Sequence, residues 1–397
     1  MKILVYWDDE DQANLIDSYL TVDDGNEITL LDDSAAFVEA ACSRAAFDVM
    51  LMATSPDVDV AFEHFQTVQS ARPNCAIVCA CLQSDVFRII RFMTNGLRTY
   101  IVRDPNGDFI FMLQAILESS VEAMLAEQER LVAEKMREEI ESVRQLQESV
   151  IPKDIPVPPG YRICTRYEPS QIRSVGGRAV TMAGGDYYDV FNLDDDNIVL
   201  LVGDASGHGM KACMSIMTMH TLIRMIRSNR YRDPGKFVAE INDQLSEQTL
   251  VNDEGGFITL LYGVLHVSKR ELHWASAGHQ PPVLHDLTTG EIGRVGSTEA
   301  GGLPLAIASG IEYDTHVTQL PSNSRILFYT DGLEEAFPEA SHEAHREFGL
   351  EGIIGTLKDS RDSSVDEALA ALFDRSHEFT EGAGRHDDTS SILLEWD

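Results

Sequence analysis

The first part of the chain alternates short apolar runs with longer stretches of mixed polarity. The apolar runs are typical of buried strands, and the amphipathic stretches between them are typical of helices. The runs are KILVYW, EITLL, DVMLMA, AIVCACL and TYIV, each followed by a predicted helix, the first near residues 11 to 20 and the last from residue 106. Because strands that alternate with helices pair in parallel, the pattern predicts an α/β domain over residues 1–109, built on a doubly wound parallel sheet.

A single long helix is predicted next, over residues 110–150. This stretch contains neither Pro nor Gly, and Glu, Gln, Arg, Ala and Leu dominate it. Apolar residues recur along it mostly at intervals of three or four, with an interruption at Gln128; they are Ile110, Leu113, Leu117, Val121, Met124, Val132, Met136, Ile140, Val143 and Val150. Such a stripe favours a parallel coiled coil between two subunits, hence a homodimer, although it also suits packing on a flanking domain.

Residues 151–397 combine strand-like runs with two predicted helices, over 209–229 and 234–250. A cluster of prolines between Pro152 and Pro159 separates this segment from the long helix. The strand-like runs include YRICTRYEP, NIVLLVGD, FITLLYGVLHVS and ELHWASAG. The pattern predicts a sheet-rich core with helices covering its faces.

Aspartates stand beside three apolar runs of this segment. Asp204 lies in NIVLLVGDASGHG, Asp331 in RILFYTDGLEEA, and Asp387 and Asp388 in HDDTSSILLEW. A buried strand fixes the side chain at its end, so carboxylates brought together there repel one another unless a divalent cation neutralises them. Oxygen ligands without spaced Cys or His pairs favour Mg²⁺ or Mn²⁺ over Zn²⁺. Taken singly, each Asp also fits a turn or a helix cap.

Charge and composition exclude several classes of protein. The net charge of −34, spread over 397 residues, would repel a polyanion, so we expect no nucleic-acid partner. Six cysteines in mostly apolar surroundings suit reduced thiols of a cytoplasmic protein. The longest apolar runs fall well short of the roughly 20 residues needed to span a bilayer, so we expect no membrane association.

The N-terminal pattern resembles a response-regulator receiver domain, in which Asp8 and Asp9 occupy the place of the acidic metal pair. Ala53 stands where that family has its phosphate-accepting Asp, Ala80 where it has a switch Ser or Thr, and Arg103 where it has a Lys. The resemblance implies a pseudo-receiver that docks, dimerises or senses something other than phosphate. For Asp8 and Asp9, a solvated acidic loop and residual metal binding are both open.

Seven motifs follow one another in residues 151–397. They are GGDYYDV at 184–190, VGDASGHGM at 202–210, ITLLYGVL at 258–265, ASAGHQPP at 275–282, LFYTDGLEEA at 327–336, FGLEGI at 348–353 and HDDTSSILL at 386–394. With them the segment resembles the bacterial SpoIIE and RsbU type of PPM (PP2C-like) protein serine/threonine phosphatase over nearly its whole length. The resemblance implies an α+β fold in which helices flank a β-sandwich.

The resemblance also implies a two-ion centre of Mn²⁺ or Mg²⁺. Asp204 would bridge the two ions, and the backbone carbonyl of Ala205 would contribute to one of them. Asp331 and Asp387 would complete the shell of the other ion. Asp186 would orient metal-bound water or bind a further ion.

Other roles stay open at this stage. Asp388 is either a further ligand or a residue behind Asp387. His208 is the candidate general acid, although a His between glycines also suits a turn, and His279 is expected to brace its loop. For Arg173 and Arg178, a solvated position is preferred over phosphate binding.

The implied function is hydrolysis of phosphoserine or phosphothreonine by metal-activated water. In relatives the usual substrate is a phosphorylated anti-sigma-factor antagonist of the STAS type, within a partner-switching pathway. The alternative is a non-catalytic pseudophosphatase that binds a partner. GGDYY also resembles the GGDEF loop of diguanylate cyclases, but that family has no counterpart of VGDASGHG. A DNA-binding response regulator is disfavoured by the acidity.

Overall fold

The computed structural model describes residues 1–23, 25–54, 56–173, 179–181, 184–207, 209–226, 232–248, 251, 255–296, 301–338, 347–381 and 384–397. The chain divides into two compact units, Met1–Met136 and Arg137–Asp397. The long helix crosses the boundary between these two units.

A five-stranded parallel sheet forms the centre of the first unit. Its strands are β1 (Lys2–Tyr6), β2 (Glu27–Leu31), β3 (Val49–Ala53), β4 (Ala76–Leu82) and β5 (Thr99–Arg103), in the order β2-β1-β3-β4-β5. The helices are α1 (Glu10–Leu20), α2 (Ser34–Cys42), α3 (Val58–Ala71), α4 (Ile89–Thr94) and the first part of α5 (Ile110–Val150). This order is that of a doubly wound sheet, so the predicted doubly wound parallel sheet is confirmed.

Local chemistry explains where these elements begin. Every residue of β3 is buried, as expected for a central strand covered on both faces. Asp9, Asp33 and Asp57 each accept hydrogen bonds from backbone N–H groups in the first turn of the following helix. The last predicted helix starts later than residue 106, because the carboxylate of Asp104 accepts three backbone N–H bonds and holds residues 104–109 in a turn.

A buried ion pair lies at one end of this sheet, just after β1 and at the end of β5. Arg103 Nη1 lies 2.5 Å from Asp8 Oδ1, and its guanidinium also binds the side-chain oxygen of Gln12. The guanidinium carbon lies 4.4 Å from the ring centre of Trp7. Asp8 is therefore neutralised by the arginine that replaces the receiver lysine, and Asp9 caps α1.

The long helix α5 is a single element, Ile110–Val150, as predicted. Its first apolar residues are not available to a partner, since Ile110, Leu113 and Leu117 are buried in the core of the first unit. Val121 and Met124 pack against the same core. Exposed apolar residues follow, namely Leu125, Leu131, Val132, Met136 and Leu146. The first part of the predicted apolar stripe therefore packs in the core of the first unit, and the later part is exposed to solvent.

Two packed sheets form the centre of the second unit. The strands of this unit are β6 (Tyr161–Glu168), β7 (Gln171–Arg173), β8 (Ala179–Thr181), β9 (Asp186–Asn192), β10 (Asn197–Ala205), β11 (Ile258–His266), β12 (Glu271–Ala277), β13 (Val283–Asp286), β14 (Ile292–Arg294), β15 (Gly301–Gly302), β16 (His316–Gln319), β17 (Ser324–Tyr329) and β18 (Thr389–Trp396). The first sheet, called the β10 sheet, has the order β15-β12-β11-β10-β9, with β16 paired to β12. The second, called the β17 sheet, has the order β14-β13-β17-β18-β6, and β7 and β8 pair separately with each other.

Helices cover both outer faces of this sandwich. They are α6 (Met210–Ile226), α7 (Pro234–Ser246), α8 (Gly349–Asp359) and α9 (Val365–Phe379). Alternate residues of β10 face opposite ways, so that Leu200 and Val202 lie between the sheets while Val199 and Leu201 pack under α6 and α7. The predicted flanked β-sandwich is confirmed. Helices α8 and α9, which cover the β17 sheet, were not among the predicted elements.

None of the helices in the described part of the chain combines the length and the apolar character needed to span a bilayer.

Candidate metal centre

The predicted carboxylates come from both sheets and meet at one end of the sandwich. Asp204 lies near the end of β10 and pairs in register with Asp186 at the start of β9. Asp331 lies two residues after the end of β17, and Asp387 and Asp388 directly precede its neighbour β18. The fold therefore brings together residues that are far apart in sequence, from Asp186 to Asp388.

Asp388 is clamped by backbone groups. Its side chain is buried, with Oδ1 accepting the N–H of Ser170 at 2.8 Å and Oδ2 accepting the N–H of Gly185 at 2.6 Å. A Cβ at Gly184 would overlap the Asp388 carboxylate, so this approach requires a glycine there. Because both of its oxygens already accept backbone N–H groups, Asp388 is better suited to support the candidate ligand residues than to bind an ion itself.

Asp186 is oriented from the opposite sheet. Its Oδ2 accepts a hydrogen bond from Thr330 Oγ1 at 2.6 Å, and Thr330 in turn accepts the N–H of Ser390 at 2.8 Å. Both side chains are buried. This bond links the first residue of β9 to the residue that precedes Asp331.

The centre has an excess of negative charge. Burial raises the pKa of Asp204 to about 9, and the carboxylates of Asp331, Asp387 and Asp388 add to the shift. Burial and then Asp387 raise the pKa of Asp331 to about 6. The pKa of Asp186 is raised in the same way, by burial and then by Asp204.

One carboxylate oxygen of the centre has no hydrogen-bond partner. Asp331 Oδ1 is buried and has no hydrogen-bond partner. A buried carboxylate oxygen without a partner, among carboxylates that raise one another's pKa values, fits a hard divalent cation in chemistry and in charge. Within the described residues, no three Asp, Glu, His or Cys side chains form a ready-made metal-holding group.

The remaining predicted residues divide into two groups. The carbonyl oxygen of Ala205 lies at the centre, packed so closely on Gly185 that a Cβ there would be 2.8 Å away. Gly207 and Gly209 both have φ of +83°, the left-handed turn for which glycine is suited. His208 and Arg178 lie outside the described residues, as does the side chain of Arg173.

Sequence reasoning missed several residues that support the centre. Gln147, near the end of α5, is buried and hydrogen-bonded to the segment that leads into Asp186. Thr330 and Glu335 lie on either side of Asp331 in the YTDGLEEA motif. Burial raises the pKa of Glu335, and the negative charge of Asp331 raises it further. The sequence signal that could have identified Gln147 is its position as a polar residue on an otherwise apolar face of the helix.

Comparison with known proteins identifies the second unit. The family model described as Stage II sporulation protein E (SpoIIE) matches residues 194–397, about half of the chain. The chain belongs to the SpoIIE family. The SpoIIE match includes Asp204, Asp331, Asp387 and Asp388, and Asp186 lies just before it.

Individual relatives are distant. The phosphoserine phosphatase RsbP of Bacillus subtilis is 23% identical over 213 residues, covering 53% of this chain and 49% of RsbP. The phosphoserine phosphatase RsbU of the same organism is 25% identical over 238 residues, covering 58% of this chain and 65% of RsbU. Protein IcfG of Synechocystis is 26% identical over 307 residues, covering 70% of this chain and 45% of IcfG. This SpoIIE-family chain thus spans between about half and two thirds of the length of these relatives.

A solved structure supports the fold. The SiaA-PP2C domain of Pseudomonas aeruginosa superposes with a TM-score of 0.54 at 17% identity, covering 67% of this chain and 99% of that domain. At that identity the likeness shows a shared PP2C-like fold.

Proposed function

We propose that this SpoIIE-family protein is a Mn²⁺- or Mg²⁺-dependent protein serine/threonine phosphatase. The proposal is supported by the buried Asp331 Oδ1, which has no hydrogen-bond partner, and by burial and the neighbouring carboxylates, which together raise the pKa values of Asp186, Asp204 and Asp331. The names of RsbP and RsbU, both phosphoserine phosphatases, support the same activity.

Each residue has a proposed part in this reaction. Asp204, Asp331, Asp387 and the carbonyl of Ala205 would hold two ions, with Asp186 beside them. When bound, such a pair supplies an activated water and stabilises charge on the phosphoryl group during in-line displacement. Asp388 accepts the N–H of Gly185 and so fixes the backbone segment that precedes Asp186. His208 is the proposed proton donor to the leaving serine or threonine oxygen.

For the substrate, we propose a phosphorylated anti-sigma-factor antagonist of the STAS type in a partner-switching pathway. The support is the resemblance of the seven motifs to the SpoIIE and RsbU type, together with the alignment to RsbU. The buried free thiols Cys75, Cys79, Cys81 and Cys213 support a reducing, cytoplasmic setting.

A metal-dependent assay separates an enzyme from a pseudophosphatase. The full-length protein is assayed on a phosphoserine peptide with Mn²⁺, with Mg²⁺, and after chelation, and the phosphate released is measured. We expect release with either metal and loss of release after chelation. A rate that chelation leaves unchanged would exclude the proposed mechanism, and no release under any condition, with retained binding to a partner, would favour the pseudophosphatase.

For the organisation of the chain, we propose a pseudo-receiver over residues 1–109, a helical linker over 110–150 and a phosphatase domain over 151–397. We also propose that the linkers of two copies pair as a coiled coil. The support is the exposed face of α5, on which Leu125, Val132 and Met136 are 53%, 54% and 63% exposed.

The pairing is tested by placing charge on that face. Replacing Val132 and Met136 with Lys should convert a dimer to a monomer in sedimentation analysis, because lysines facing each other across the seam repel. Val121 is unsuitable for this test, since it packs on the first unit's core. Val22→Lys, at a residue that is 81% exposed, is the control. A wild-type monomer would contradict the proposed dimer.

A further inference from the structure

His279 is a buried histidine whose ring is hydrogen-bonded on both sides. It lies in the loop that follows β12. Nδ1 is 2.9 Å from Thr259 Oγ1, and Nε2 is 2.9 Å from the carbonyl oxygen of Tyr329. Because a carbonyl oxygen only accepts, Nε2 is the protonated nitrogen, and Nδ1 accepts the hydroxyl proton of Thr259.

The two partners of this ring belong to different sheets. Thr259 lies on β11 of the β10 sheet, in register with Asp204, and its Oγ1 is 3.4 Å from the Asp204 carbonyl oxygen. Tyr329 is the last residue of β17 in the other sheet, two positions before Asp331. The imidazole therefore joins β11, the strand paired with the one that carries Asp204, to β17, the strand that leads to Asp331.

The loop that holds His279 is itself fixed. Ser276 Oγ accepts the His279 N–H at 3.1 Å and donates to the His279 carbonyl oxygen at 2.6 Å. Gly278 has φ of +69°, and a Cβ there would lie 2.5 Å from the ring of Pro304. Gln280 Nε2 also donates to the Tyr329 carbonyl oxygen, at 2.9 Å. Two side chains of this loop, His279 and Gln280, therefore both donate hydrogen bonds to the last residue of β17.

We propose that His279 is a positioning residue that fixes the separation between Asp204 and Asp331 and so sets the affinity of the centre for its metal ions. The inference rests on the proposed function. Ions bound by carboxylates from two sheets lose affinity when the sheets shift by a fraction of an ångström, since the ligands must then be drawn together at the expense of binding. Gln280 assists, because it donates to the same carbonyl.

Two substitutions separate the positioning role from ordinary packing. His279→Gln retains a donor at the place of Nε2, whereas His279→Asn is too short to reach Tyr329. The matched control is His285→Asn, since His285 is also buried, lies on β13 of the β17 sheet, and has no hydrogen-bond partner at either ring nitrogen. Mn²⁺ affinity of the full-length protein is measured by calorimetry, and its stability by thermal unfolding.

The expected result is a loss of affinity that does not follow stability. His279→Asn should weaken Mn²⁺ binding about tenfold, and adding Gln280→Leu should weaken it further. His279→Gln keeps the bond to Tyr329 and loses the one to Thr259, so it should weaken Mn²⁺ binding only several-fold, as Thr259→Val should. His285→Asn should bind Mn²⁺ like wild type, whatever its melting temperature. Unchanged affinity in His279→Asn, or an equal loss in His285→Asn, would overturn the inference.

Two further outcomes are decided by the same measurements. If His279→Asn does not fold, Thr259→Val removes the hydroxyl bond on the other side of the ring, and it should weaken Mn²⁺ binding several-fold. Wild-type affinity in that variant would overturn the inference. If the wild type itself binds no Mn²⁺, the proposed function fails, and the inference fails with it. Binding in the wild type with equal affinity in every variant overturns the inference alone.

Discussion

Gln147 binds the backbone of Gly184 from the last turn of α5. Its Oε1 accepts the Gly184 N–H at 2.7 Å, and its Nε2 donates to the Asp186 carbonyl oxygen at 3.3 Å. The side chain is buried, at 1% exposure. The end of the long helix is therefore bonded directly to the glycine segment that places Asp186 at the metal centre.

The first prediction concerns this contact. Gln147→Leu keeps the volume of the side chain but leaves a buried N–H and a buried carbonyl without partners, which costs about 1 to 3 kcal/mol. We expect the phosphatase rate at saturating Mn²⁺ to fall about tenfold, because the segment before Asp186 loses its anchor.

Gln145 provides the matched control for this substitution. It lies on the same helix but is exposed, where it bonds to Glu141 on the surface. Gln145→Leu should retain wild-type kinetics. If both variants are equally active, α5 does not support the centre through Gln147.

The second prediction concerns the charge at the centre. Mn²⁺ should raise the melting temperature of the wild type, because the ion binds the folded chain and relieves repulsion among buried carboxylates. Asp204→Asn and Asp331→Asn should abolish this shift and lower activity more than about 100-fold. Asp195→Asn removes an equal charge from an exposed loop and should change neither. A Mn²⁺ shift that persists in Asp204→Asn would contradict the assignment.

Much of the fold follows from local sequence. Alternating residues along β10 specify two buried faces, and Asp9, Asp33 and Asp57 mark helix starts through capping chemistry. The use of the apolar stripe on α5 does not follow in this way. A residue such as Val121 suits a coiled coil and a domain core equally well, and only the three-dimensional arrangement decides between them.

The candidate site, too, was predictable only where the local sequence marks its residues. Asp204 and Asp331 end apolar strands and stand out in the sequence. The contacts of Gln147 with Gly184 and of His279 with Thr259 and Tyr329 join residues 20 to 50 positions apart, and no spacing rule links such pairs. The clamp role of Asp388 likewise depends on the backbone N–H of Ser170, 218 residues away.

The third prediction concerns the Asp8–Arg103 pair. The side chains of Asp8 and Arg103 are 18% and 4% exposed, so Arg103→Met leaves an acid without its partner in a nearly closed site. We expect the free energy of unfolding of the first unit to fall by about 3 kcal/mol. Faster amide exchange of β1 and β5 peptides in the full-length protein, followed by mass spectrometry, would report it.

A double variant tests the cause of that loss. Asp8→Asn combined with Arg103→Met removes both charges, so stability should recover in part. Arg98→Met, at an exposed arginine of the same unit, should change little. If the double variant is no more stable than Arg103→Met, the loss arises from packing against Trp7 and not from the unpaired charge.

His285 makes the second unit sensitive to acid. Burial lowers the pKa of its imidazole to about 4, and the guanidinium groups of Arg325 and Arg361 add to the effect. Between that value and the ordinary histidine pKa near 6.5, the unfolded chain binds a proton that the folded chain does not. The stability contributed by this neutral histidine is therefore complete above about pH 6.5 and is lost as the pH falls towards 4.

The fourth prediction follows from that sign. His285→Leu removes both the proton uptake on unfolding and two buried nitrogens without partners, so at pH 5 the variant should gain about 1 kcal/mol relative to wild type beyond its difference at pH 8. Thermal unfolding of the metal-free proteins across this range measures the change. His279 keeps its own acid dependence in both proteins, since burial lowers its pKa to about 4 as well. The control is His377→Leu, at an exposed histidine, whose stability should change with pH in the same way as that of wild type. If His285→Leu also followed the wild-type pH dependence, the imidazole of His285 would be protonated in the folded state, and the prediction would be wrong.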